Sequence, residues 1–280
     1  MKTGSFPIML TTFILMTACS NSELGPSPVP EDYVDQVQAW REYRIGRLTE
    51  PTGWLRLVDL IWLEEGENRF GSGPESDIRF PEGTIASDAG RFTLRNGIVE
   101  MSVNDHLLVT RDGQPVSEAV IYEGDPESER VELVHKDLIW FVDRRGDQYG
   151  IRLFNLDTPE ADAFRGFPSY PLDEAWYLRG RFHPYEEEHA IPLVNVLGET
   201  VRRPSPGWIE FEVDGERLTL DAFESASGLF LMFTDATNRD DTYQAGRYLI
   251  IDHPDENGDV VVDFNRAYNM PCSFSPFTTC

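Results

Sequence analysis

Turn signals in which glycine follows Asn, Asp or Arg between short runs stand at Asn96-Gly97, Asp112-Gly113, Arg145-Gly146-Asp147, Asp214-Gly215 and Asn257-Gly258. A two-residue hairpin turn needs central residues that accept positive φ, because only that turn follows the twist of the strands it joins. Short alternating runs flank these turns. The candidate strands are Trp54–Leu63, Ile98–Val103, Leu107–Thr110, Arg130–Val134, Leu138–Asp143, Tyr149–Asn155, Ala175–Phe182, Trp208–Val213, Gly228–Thr234, Arg247–Asp252 and Val260–Asn265. No helical segments alternate with them. The fold class is therefore mainly β, with antiparallel sandwich or barrel-like blocks in place of a parallel α/β sheet.

One segment breaks the pattern. Between Glu31 and Glu50, Val34, Val37, Trp40 and Tyr43 recur every three residues, and Ile45 and Leu48 continue the apolar side. Pro30 leads in, Glu31 and Asp32 stand where a helix N-terminus favours anions, and Pro51 and Gly53 end the run. This predicts a single helix ahead of the β blocks.

The chain has 280 residues with 49 acidic against 24 basic side chains, a formal charge of -25. Apart from Lys2 and Lys136 every basic residue is Arg. Six Trp, ten Tyr and seventeen Phe supply enough apolar surface for a sizeable core, which excludes a disordered chain. The acidity excludes nucleic acid as a partner, since a polyanion is repelled.

At the N-terminus, Lys2 precedes an apolar stretch from Phe6 to Met16 that is too short to span a bilayer, followed by Met16-Thr17-Ala18-Cys19. This resembles a bacterial lipoprotein signal. The resemblance implies removal of residues 1–18, lipidation of the Cys19 thiol and acylation of its freed amine, so that the bilayer is a partner. It also implies a place in the cell envelope, on the outer membrane facing the periplasm. Ser20 to Pro30, polar and carrying Pro26, Pro28 and Pro30, suits a tether over residues 19–30. The helix would take 31–50. The turn-rich stretch from Glu123 to Glu129 would divide the remainder into β blocks over 51–125 and 126–280.

The chemical inventory is sparse. No Gly-x-Ser-x-Gly elbow, Ser-x-x-Lys pair or phosphate-cradling glycine loop occurs. His183 and His189 bracket Glu186-Glu187-Glu188, which reads as a solvated acidic loop in preference to a metal site. The run from His253 to Asp259 lacks the ligand spacing of a calcium loop and reads as a turn. No metal or cofactor is expected. With Cys19 lipidated, Cys272 and Cys280 remain as a candidate disulfide, against a metal site or a thiol nucleophile at Cys272.

The C-terminal runs Thr234-Asp235-Ala236-Thr237, Thr242 to Leu249 and Val262 to Cys272 resemble the domain-of-unknown-function family 1684, with Gly53-Trp54-Leu55 and Ile61 to Asn68 similar to that family's N-terminal part. The resemblance covers about residues 33 to 280 and implies no activity. It does imply a Pro-rich segment and a closing strand beyond the second Cys, where this chain stops. The first β block more weakly resembles a forkhead-associated sandwich, through Gly66 to Gly71, Ser76 to Phe80 and Asn96-Gly97. That fold takes phosphothreonine through an Arg after its first glycine, and here Ser72 stands there.

The family-like runs concentrate Asp235, Thr237, Tyr243, Arg247, Asp263, Asn265, Arg266, Asn269 and Cys272. On one reading these converge in a pocket, with an Arg gripping an anion and an Asp as base. On the other, Asp263 and Arg266 form a buried ion-pair and turn network that fixes the last strand. Two functions follow: a non-catalytic, β-rich envelope binding protein, or a hydrolase-type enzyme centred on Asp235, Arg247, Asp263 and Cys272. The spatial grouping of those side chains discriminates the two.

Overall fold

The computed structural model describes residues 24–125, 127–194, 198 and 200–278. Cys19, Cys280 and the signal over 1–18 lie outside the described residues. The chain forms helix α1 (Tyr33–Thr49) and then strands β1 (Leu57–Trp62), β2 (Gly66–Gly71), β3 (Gly90–Arg95), β4 (Ile98–Val103), β5 (Glu118–Tyr122), β6 (Leu133–His135), β7 (Leu138–Arg145) and β8 (Gln148–Asn155). After a loop with one short helix (Pro159–Ala163) come β9 (Tyr177–Val194), β10 (Thr200–Val213), β11 (Glu216–Ser225), β12 (Gly228–Phe233), β13 (Arg247–Ile251) and β14 (Asp259–Asp263). The chain is mainly β, as its turns predict. Asn96, Asp112 and Asp214, and the glycines after them, all take positive φ at their hairpins.

Among the described residues three sheets result, and none closes into a barrel. Strands β2 to β5, with Ile78–Arg79 at one edge, form the first, and β1, β8, β7 and β6, continued by Thr110–Arg111 and Gln114–Pro115, form the second. These two sheets face each other. In β3 and β4 the side chains alternate, Phe92, Leu94, Val99 and Met101 buried while Thr93 and Glu100 are not. The buried set meets Trp140, Val142, Ile151 and Leu153 from the second sheet in one core. Its centre is aromatic: Phe70 stacks on Phe92 at 4.4 Å, and Phe80 meets Trp140 edge-on at 5.4 Å.

That core runs from Leu63 through Leu153. The polar stretch at 123–129, expected to separate two blocks, therefore connects strands of one sandwich, because β6 to β8 supply its second layer. Polar, turn-rich composition marks a surface connection and does not distinguish one within a domain from one between domains.

The third sheet runs β9-β10-β11-β12-β13 to a short strand at Tyr268–Asn269, with β14 on the other side of β9. It curls around Leu178, Ile209, Phe211, Leu231, Leu249 and Val262. A smaller apolar cluster on the second sheet's other face, of Leu57, Ile139, Phe141 and Phe154, is covered by Trp54 and Phe277. Beside it the Ser275 hydroxyl lies 3.4 Å from the Leu57 carbonyl.

Several boundaries differ from expectation for a shared reason. Trp54–Arg56, Glu174–Trp176 and Phe264–Arg266 are single 3₁₀ turns, so β1, β9 and β14 exclude the residues assigned to strands there. Asp173 and Asp263 cap two of these turns, accepting from the N–H two residues on, a competition that β propensity does not register. Strands β2, β5 and β11 had no candidate in the sequence reading, and β3 only the short run before the Asn96-Gly97 turn. Helix α1 stands where predicted but turned: Tyr33, Val37 and Leu48 are buried, Trp40 and Arg44 partly so, while Val34 and Tyr43 are more than 60% exposed. A strict three-residue repeat drifts around a 3.6-residue helix, whereas 33, 37, 40, 44 and 48 stay on one side. Arg44 keeps to that stripe by laying its guanidinium 3.9 Å from the centre of the Tyr268 ring.

Trp140→Ala is expected to cost about 3–5 kcal/mol, the range for emptying a packed aromatic site. Trp176→Ala, at a residue 45% exposed, should cost far less. Urea unfolding of the two variants checks the contrast.

Candidate functional site

The loop from Thr234 to Gly246 joins β12 to β13 and carries three of the expected site residues, Asp235, Thr237 and Tyr243. Asp235 Oδ1 accepts from the Thr237 N–H at 2.9 Å and from its hydroxyl at 2.5 Å. Asn238 closes the loop, accepting from the Asp235 N–H at 2.6 Å and donating to the Tyr243 carbonyl at 2.6 Å. Arg247, at the start of β13, reaches back to pair with the other Asp235 oxygen and lies 5.0 Å over the Phe233 ring. Gly246 permits that return: its φ is +108°, and a Cβ there would sit 2.5 Å from the Phe233 carbonyl. Burial raises the Asp235 carboxyl, but the two Thr237 bonds and the Arg247 guanidinium outweigh it and hold it below the usual carboxylate range. Tyr170, from the loop before β9, covers the group and donates to Asp241 at 3.2 Å, and Arg41 of α1 donates to the Tyr170 carbonyl.

A second cluster forms where β14 ends. Asp263, 6% exposed, accepts from the Tyr33 hydroxyl at 2.7 Å and pairs with Arg266 Nε at 3.1 Å. The Asn265 side chain donates to the Tyr33 oxygen at 2.8 Å and to the Asp173 carbonyl at 2.9 Å, and accepts from the Asp173 N–H. Arg266 also donates to Gln36 of α1 at 3.1 Å. Asp263 and Arg266 thus form the ion pair and turn of the second sequence reading. Burial and then the Asp263 carboxylate push the Tyr33 phenol well above its usual range, against smaller opposing effects of Asn265 and Arg266.

The nine expected residues therefore divide. Asp235, Thr237 and Arg247 meet directly. Asn269 is Arg247's partner in the strand register, and the Tyr243 hydroxyl lies 3.4 Å from the Cys272 carbonyl. Asp263, Asn265 and Arg266 gather instead around Tyr33, and no hydrogen bond or ion pair among the described residues joins the two clusters. Cys272 is disulfide-bonded; its expected partner Cys280 lies outside the described residues. Sequence reading missed Tyr33, Asp173, Asn238 and Tyr170. Only Asn238 carried a local signal, three residues after an Asp that opens a turn.

The two patterns weighed for metals are otherwise engaged. His183 stacks on Trp208 at 4.0 Å and meets Glu210 at 3.1 Å. Asp255 accepts from the N–H groups of Asn257 and Asp259, closing a turn. Among the described residues no group of three or more His, Cys, Asp or Glu could hold a metal ion, and no helix is long and apolar enough to cross a membrane.

By architecture the chain is a mainly β protein with one long helix. Residues 162–280, which contain both clusters, match the model of a family described as a protein of unknown function, DUF1684. The resemblance read from about residue 33 onward is found over that C-terminal part. Among solved structures, the chain is similar to an uncharacterized Haloarcula marismortui protein determined by solution NMR, at 28% identity over 43% of this chain and 69% of that one, with a TM-score of 0.36. Forkhead-associated domains are found too. One, from a study of phosphothreonine-dependent interactions, shows 14% identity over 34% of this chain and 92% of its own, with a TM-score of 0.24. Another, solved with the intracellular domain of a second protein, shows 16% identity over 34% and 96%, with a TM-score of 0.21. No curated protein matches the chain.

Two pH dependences follow, of opposite sign. The raised Tyr33 phenol contributes fully below about pH 10, the unfolded value, and loses its contribution as pH rises toward the folded value. Tyr33→Phe should reduce that alkaline loss and lower stability at neutral pH by about 1–3 kcal/mol, because Asp263 loses a donor. The depressed Asp235 contributes above about pH 4 and loses its contribution as pH falls through the folded value; Asp235→Asn should flatten the acid limb. Urea unfolding across pH measures both.

Proposed function

We propose that the chain is an exported lipoprotein, anchored through acylated Cys19 on the outer membrane facing the periplasm, whose β units bind an envelope ligand or partner without catalysing a reaction. The observation that carries the non-catalytic part is how the family-like polar groups are used. Asp235 is taken up by Thr237 and Arg247, and Asp263 by Tyr33, Asn265 and Arg266. Groups committed to one another in this way hold loops and strand ends in place. A hydrolase centred on Asp235, Arg247, Asp263 and Cys272 would need these groups in one site, and Cys272, disulfide-bonded, has no thiol to offer as nucleophile.

Export draws support from the same disulfide, since such bonds persist in oxidising compartments and are rare in the cytosol. It draws more from the basic start, the short apolar run and Cys19 after Thr17-Ala18. Multiple acyl chains hold far more firmly than one, each buried methylene contributing about 0.8 kcal/mol.

Mass spectrometry of the mature protein from its native membranes should find a chain beginning at Cys19 with a diacylglyceryl thioether and an acylated amine. Retention of residues 1–18, or an unmodified Cys19, would sink the anchoring. Steady hydrolysis of any ester or amide by the purified chain, lost on Asp235→Asn, would sink the non-catalytic part.

A further inference from the structure

Strand β7 is hydrogen-bonded to β8 along its whole length, but its other edge pairs only through Leu138–Trp140, with β6. From Phe141 onward that edge is open, and residues 128–131, outside any strand, form the facing wall of a cavity of about 510 Å³. Its size falls within the usual range for small-molecule sites. It lies at the same end of the sandwich as the Asn96-Gly97 turn, where Gly97 approaches Tyr149, and away from Ser72, which sits with Ser87 at the opposite end of β2 and β3.

Arg130, Arg144 and Arg152 line this cavity with Asp143 and Glu129. The guanidiniums of Arg130 and Arg152 lie 4.3 and 6.0 Å from the Phe141 ring centre, while Arg144, on the other face of β7, lies by Tyr149 and donates to the Gly146 carbonyl. In a chain with twice as many acidic as basic residues, that balance is a local reversal. The Asp143 carboxylate is already shared: one oxygen accepts from Arg152 at 2.9 Å and from Arg145 at 3.1 Å. Arg152 is 12% exposed, and its Nε is buried without a hydrogen-bond partner. Arg130 pairs with Glu132 at 2.6 Å and lies 4.3 Å over the Phe141 ring, on the cavity wall. Burial lowers the Arg152 guanidinium from its usual range, opposed by Asp143 and aided by the smaller effects of Arg145 and Arg130. Donors exceed acceptors here, and the guanidinium fork is the side-chain group best matched to a carboxylate or phosphate.

We propose that this cavity is an anion-binding site that takes the carboxylate or phosphate group of a small ligand, held by Arg130 and Arg152, whose guanidiniums both lie by the Phe141 ring. This gives the binding reading a site and a ligand class. It rests on that reading for its place in the cell and not for its chemistry, so the two are tested separately: the state of Cys19 decides anchoring, and anion titration decides the site.

The test is calorimetric titration of the full chain with inorganic phosphate and, separately, with citrate. Saturable binding of one anion per chain is expected, phosphate alone naming a phosphate site and citrate alone a carboxylate site. Arg130→Gln should weaken binding by at least about tenfold, while Arg144→Gln, on the other face of β7, should leave it unchanged. No saturable heat with either anion, or binding by Arg130→Gln equal to that of the parent, would overturn the proposal.

Discussion

The Asp263 carboxylate is the point at which three distant stretches of the chain become one structure. It ends β14, caps the turn after that strand, and receives the hydroxyl of Tyr33 from a helix 230 residues earlier. Through Asn265 the same centre reaches Asp173, in the loop before β9. Asp263 Oδ1 takes both hydrogen bonds, from Tyr33 and the Asn265 N–H, while Oδ2 faces Arg266 in an ion pair. The buried carboxylate is thus matched by donors on one oxygen and by charge on the other. The arrangement specifies one docking angle for α1, because a helix turned by a single residue would carry Tyr33 away.

What the sequence made legible was what depends on neighbours along the chain. The Asn-Gly and Asp-Gly turns announce themselves because positive φ is a demand on two adjacent residues, and the strands beside them were placed within a few positions. Strand β11 was missed although the Asp214-Gly215 turn requires a second arm. Its run, Glu216-Arg217-Leu218-Thr219-Leu220, faces solvent on much of its surface and reads as mostly polar. The helix was found but its buried side was not, because Arg44 occupies a core-facing position that a hydrophobicity pattern counts as exposed.

The candidate site was legible as a list and not as a grouping. Asp235, Thr237 and Arg247 lie within one loop and its following strand, so local reasoning collected them correctly. Asp263 and Arg266 are also near one another in sequence, but the residue that organises them is Tyr33, and nothing in its surroundings signals a hydroxyl aimed at a carboxylate. The Arg-lined cavity was equally hidden. Arg130, Arg144 and Arg152 fall on two strands and a connection, in a stretch read as the start of a separate block.

The contact of Phe277 and Ser275 with the outer face of the second sheet has a consequence for how the molecule is made. The Ser275–Leu57 pair spans 218 residues of sequence, and contacts of such separation are slow to form because the loop they close must be ordered first. Until the C-terminal segment arrives, Leu57, Ile139 and Phe141 lack part of their cover, however well the sandwich beneath them has condensed. A chain built this way brings its C-terminal segment home last, and its assembly is most vulnerable to aggregation while that apolar face waits.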